Sequence, residues 1–155
     1  MASDPSNLEN RFKELIRQLA LNGVPDPCHI SILLKYFLAM LLDKAGKSDE
    51  AVVLSEQLVE SDIEAYFGHT AVELVIEPML IIVNHRFDKL LIQIDAEEAH
   101  DRGSLIQAVE TLARRTEGQI LAILGPKSEK LTEVFCIYSF FAFERGDPAE
   151  GLDYQ

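Results

Sequence analysis

The chain has 155 residues, 48% of them hydrophobic and 26% charged, which suits one folded domain able to bury roughly 70% of its unfolded surface and excludes a disordered segment. Its 26 Asp and Glu against 14 Lys and Arg give a formal net charge of -12. Phosphate backbones and anionic lipid surfaces are recognised by clustered Lys and Arg, so neither nucleic acid nor a membrane is expected as a partner.

The first predicted element is a helix. Ser6-Asn7-Leu8-Glu9 has the form of a capping box, Leu8, Phe12, Leu15, Ile16 and Leu19 recur on one helical face, and Gly23 supplies the stop. Asp26-Pro27 then reads as a second start, with Asp at the N-cap and Pro in the first turn. The helix it opens, about 28–44, is apolar around most of its circumference, and only Ser31 and Lys35 mark a narrow polar strip. Such a helix belongs at the centre of a bundle or in an oligomer interface. Gly46 ends it, and Ser48-Asp49-Glu50 begins a third helix to about Ser61, with Ala51, Ser55, Leu58 and Val59 inward. The short joint makes these two helices antiparallel neighbours.

The middle of the chain supports two readings. Thr70-Ala71-Val72-Glu73 has capping-box form, and Pro78 is expected to interrupt whatever precedes it. In "MLIIVNHRFDKLLIQID" the residues Leu80, Val83, Phe87, Leu90, Leu91 and Ile94 share one helical face, whereas period-two alternation around "NHRFD" describes a small β-hairpin at about 79–95. The unbroken helical spacing and the lack of Gly or Pro in the supposed turn favour the helix. Asp101-Arg102-Gly103-Ser104 reads as a break. Ser104 and Gln107 cap a helix bearing Leu105, Ala108, Val109 and Leu112 and ending near Gly118, and "QILAIL" is either a strand or a further helical turn. A last helix from about Ser128 turns Leu131, Val134, Phe135, Tyr138 and Phe141 inward. The expected fold class is mostly α, one domain over 1–155 built as a compact bundle of antiparallel helical hairpins, with the hairpin at 79–95 as the open alternative.

The joints carry a resemblance. "LLDKAGKSDEAV" and "FAFERGDPAEGL" share an apolar run, charged residues, Gly, an acidic turn and a Glu followed by a small residue. This resembles the inter-helix turn of tetratricopeptide repeats: Gly46 and Ala51 match the repeat's glycine and small residue, Leu38 and Ala39 its packing pair, and Gly146 and Gly151 a second copy. The pattern is departed from at Lys35, Leu42 and Ser55, where aromatics are usual, and no Pro closes the unit near Ile63. The resemblance implies a concave helical surface that holds a peptide or a partner's helix. It also makes Arg145-Gly146-Asp147 a helix joint and not an adhesive tripeptide.

Catalytic signals are sparse. Nucleophile elbows and Gly-rich phosphate loops are absent, so no enzyme and no cofactor is expected. Glu97 and His100, with His69 and Glu73 a turn apart upstream, have the Glu-x-x-His flavour of metal-bearing bundles, and a metal-dependent bundle enzyme is the rival reading. Cys28 and Cys136 follow no ligand spacing and read as reduced core thiols. With no basic-then-apolar start and no apolar run of membrane-spanning length, the expected compartment is the cytoplasm. His29 and His85 read as exposed.

Surplus apolar surface is the most informative feature. Core packing accounts for Phe135, Tyr138 and Phe141, leaving Phe140 and Phe143 to point elsewhere, as do Tyr36 and Met40 on the second helix. These four are the expected partner-binding residues. The function they imply is a non-enzymatic, chaperone- or adaptor-like module that masks a hydrophobic segment of another protein and itself forms homo-oligomers. A structural subunit of a larger assembly is the third reading.

Overall fold

The apolar periodicities are realised as helices throughout the residues that the computed structural model describes, 5–68, 72–95 and 102–144. Among them there are seven helices packed as hairpins and no strand: α1 (Pro5–Leu21), α2 (His29–Lys44), α3 (Ser48–Glu60), α4 (Ile63–Phe67), α5 (Val72–Asp95), α6 (Arg102–Leu124) and α7 (Leu131–Glu144). The chain gathers into two units, Met1–Ile82 and Val83–Gln155.

In the first unit α2 packs against α1, α3 and α4. Its core joins Ile32, Tyr36, Leu38, Ala39 and Leu42 of α2 to Ala51, Val52 and Leu58 of α3, Ile63 of α4 and Ile81. The α2–α3 joint shows why a Gly stands there. Gly46 has φ +78°, and closure follows from Gly46 N–H donating to the Asp43 carbonyl at 3.1 Å and Lys47 N–H to the Leu42 carbonyl at 2.9 Å. These paired bonds satisfy carbonyls that the helix end leaves orphaned, and a Cβ would resist the left-handed backbone. Ala51, fully buried, lets α3 come close.

The second unit is a hairpin of α6 and α7. Val109, Ala113 and Ile120 of α6 and Leu131, Val134, Ile137 and Phe141 of α7 are buried. Phe87 of α5 meets Phe140 and Phe141 edge-on at 5.2 and 6.1 Å, a geometry that sets ring edges against ring faces. The Tyr138 hydroxyl donates to the Glu117 carboxylate at 2.5 Å, and the Arg114 guanidinium lies 5.4 Å from the centre of the Tyr138 ring.

Several expectations need correction. The alternative hairpin at 79–95 is overturned, because α5 runs unbroken through it. Pro78 lies inside α5 and does not end it. Proline fits helical φ, and here its fully buried ring offsets part of the about 3 kcal/mol that an interior Pro costs. The break expected at 101–104 is helical from Arg102, and α6 continues past Gly118 through "QILAIL" to Leu124. Ser6 sits within the first turn of α1 and not before it, and the Glu9 carboxylate serves Lys13 and Lys47. Leu15 is 51% exposed. The short helix α4 between Asp62 and Gly68 was not anticipated. The expected second joint, including Arg145-Gly146-Asp147 and Gly151, lies outside the described residues, as do Thr70 and Ala71. Among the described residues no helix is long and apolar enough to cross a membrane.

Candidate protein-binding surface

The orientation of α2 decides what the first unit presents to solvent. Its polar strip is not its outward face: Ser31 and Lys35 are buried, at 4% and 8% exposure. Both are held by Asp26. The Lys35 ammonium donates to Asp26 Oδ2 at 2.6 Å and the Ser31 hydroxyl to Asp26 Oδ1 at 2.9 Å. The carboxyl of Asp26 is thereby kept below its ordinary range, first by Lys35, against the opposing effect of partial burial. The N-cap is Cys28 and not Asp26. Cys28 N–H donates to the Ser31 hydroxyl at 2.8 Å, and Ser31 N–H reaches the Cys28 sulfur at 3.4 Å. The Ser31 hydroxyl, then its backbone N–H, pulls the Cys28 thiol below its ordinary value.

With Ser31 and Lys35 buried against Asp26, α2 turns apolar side chains outward. Ile30 is 57% exposed and Phe37 51%, with Leu33, Leu34, Met40 and Leu41 half-buried beside them. Phe12 of α1 stacks on Phe37 at 6.4 Å.

A second apolar feature lies between α1 and α3. A groove of about 340 Å³ is floored by Leu38 and Leu42 of α2 and walled by Ile16 of α1 and Val53 and Leu54 of α3. Lys13 and Glu50 line it too, their charged ends 3.8 Å apart. The α1 wall is pinned at its start. Buried Glu9 accepts from Lys13 at 2.8 Å and from Lys47, in the α2–α3 joint, at 2.9 and 3.0 Å. These bonds, Lys13's first, hold the Glu9 carboxyl below its usual range, and the same Glu9 bond raises Lys13.

The four residues expected to bind a partner are distributed as follows. Tyr36 is buried among the core residues of the first unit, its ring edge-on to Phe37 at 5.4 Å. Met40 is half-buried against that core one turn later. On α7, Phe140 is half-buried against Phe87 and Phe141, and Phe143 is 45% exposed. Sequence reasoning missed Ile30, Phe37 and Val53. The available signal was the spacing of Asp26, Ser31 and Lys35, which places one carboxylate before the helix and two polar side chains on the face that follows it.

Among the described residues no three His, Cys, Asp or Glu are grouped to hold a metal. His69, Glu97 and His100, and the side chain of Glu73, lie outside the described residues. The cysteines are not core thiols: Cys28 is half-buried at its cap and Cys136 is exposed on α7. His29 is exposed and donates through Nε2 to the Tyr66 carbonyl at 2.8 Å, whereas His85 is half-buried. Comparison with protein-family models, with curated proteins and with solved structures found no match.

Proposed function

We propose that the chain is a non-enzymatic protein-binding module, chaperone- or adaptor-like, that masks an apolar segment of a partner protein in the groove between α1 and α3. The groove itself carries the reading. It exposes Val53 beside half-buried Leu54 over a floor of Leu38 and Leu42, and burying such surface is favourable by about 25 cal/mol per Å². The tetratricopeptide-like joint supports it: Gly46 has the positive φ that the resemblance asks of its glycine, and Leu38, Ala39 and Ala51 are buried. Mixed charge at Lys13 and Glu50 suits a segment with a polar flank, and the net charge of -12 keeps the module soluble and steers basic partners toward it.

A fluorescently labelled panel of apolar and amphipathic peptides tests this. The wild-type chain should bind at least one apolar peptide, and Val53→Asp, with helical circular dichroism intact, should lose about tenfold or more in affinity. Indifference of every peptide to that substitution, or no binding by the wild type, would end the reading.

A further inference from the structure

The groove leaves the outward face of α2 unexplained, and its pattern points to a different occupant. Ile30, Leu33, Leu34, Phe37, Met40 and Leu41 recur at i, i+3, i+4, i+7, i+10 and i+11, the spacing of a seam that another helix covers. The stripe runs from Ile30 to Leu41, from seven residues before Phe37 to four after it.

We infer that this seam is a homodimer interface in which α2 packs antiparallel on α2 of a second copy, about a two-fold axis between Leu34 and Phe37. Charge selects that occupant. The molecule carries -12 overall, yet α2 has no Asp or Glu before Asp43, and Lys35, its only charge before that point, is turned inward onto Asp26. The seam is therefore a face on which two acidic molecules meet without opposing carboxylates. Antiparallel packing also sets the negative end of each helix dipole beside the positive end of its mate. Exposures of 57% at Ile30 and 51% at Phe37, with half-buried neighbours, set the scale of the contact. They leave on the order of 400 Å² uncovered per copy, or roughly 800 Å² in the pair, the size of a weak, reversible interface. This inference does not use the groove between α1 and α3, so either can fail alone.

Sedimentation equilibrium of the full chain, from low micromolar upward, should show a monomer–dimer equilibrium that tightens as salt screens the like net charges. Phe37→Glu should abolish it, with circular dichroism confirming the fold. Because a charge there also touches Phe12, a second variant locates the axis: with Cys28 and Cys136 replaced by Ser, Phe37→Cys should oxidise to a covalent dimer, and Val53→Cys, equally exposed on α3, should not. A monomer at all concentrations would overturn the inference. So would a dimer that survives Phe37→Glu, or cross-linking that is no better at position 37 than at 53.

Discussion

α2 and α7 are the most apolar helices of their respective units, and they differ in which polar residues they bury. α7 keeps closer to the common rule: Val134, Ile137, Tyr138 and Phe141 go inward with the small Ser139, while Thr132, Glu133 and Cys136 face water beside Phe143. α2 inverts it, burying Ser31 and Lys35 and leaving Ile30 and Phe37 half in solvent. The difference lies in what waits for the polar side chains. Asp26 stands before α2 with both carboxylate oxygens engaged, so a lysine that would otherwise resist burial is satisfied there. Hydrophobicity fixes how much apolar face a helix has; a polar partner can fix which way it turns.

The α7 side of the comparison breaks at Phe141. That ring is fully buried and meets both Phe87 and Phe140. Phe141→Ala should cost about 3–5 kcal/mol in urea unfolding, the range for deleting a buried aromatic ring. Hydrogen exchange should quicken more in α6 and α7 than in α2 and α3. Equal acceleration in both would mean that the two units open together.

The α2 side breaks at Asp26. Asp26→Ala leaves the Lys35 side chain, 10% exposed, without its carboxylate, and should cost about 1–3 kcal/mol. Adding Lys35→Met should recover most of the loss, since an apolar side chain of similar length needs no partner there. If Asp26→Ala is silent in chemical denaturation, the ion pair does not orient α2.

These two sites also show what could be read in advance. The helices α1, α2, α3 and α7 were legible because apolar spacing and terminal glycines act locally, and Gly23 and Gly46 adopt the positive φ expected of helix stops. The rotation of α2 could not be read from apolar periodicity alone: it depends on a contact nine residues long, Lys35 to Asp26, whose only trace in the sequence is the spacing of polar residues. That is why Tyr36 was expected at the surface and lies inside, while its neighbour Phe37 takes the exposed position. Gly118 and Pro78 misled for a related reason. Their helix-breaking cost is modest beside the packing of the long helices around them.

A smaller effect sharpens the contrast in acid. Glu9 ties α1 to the α2–α3 joint, and its folded-state carboxyl is more acidic than in the unfolded chain, first through Lys13 and then Lys47. Its stabilisation is therefore full above the ordinary carboxylate value and is lost as pH falls through the depressed folded value. Glu9→Gln should unfold at lower urea than wild type at neutral pH, and the gap should close in acid. Asp26, shifted in the same direction, predicts the same trend for Asp26→Asn. A gap that stays constant across the titration would remove both carboxylates from the account of acid stability.

The smallest predicted change has the opposite sign. Gly118 lies in the interior of α6, exposed, and a Cβ built on it meets nothing within 4 Å. Gly118→Ala should stabilise by about 0.5–1 kcal/mol, because alanine forfeits less backbone entropy in a helix and finds open space here. Gly46 offers the same open space, yet its φ of +78° makes Gly46→Ala destabilising by about 1–2 kcal/mol. Thermal melts of the two variants separate a glycine that a helix merely tolerates from one that a joint requires. Opposite shifts in Tm are expected, and shifts of the same sign would show that backbone conformation is not what distinguishes the two positions.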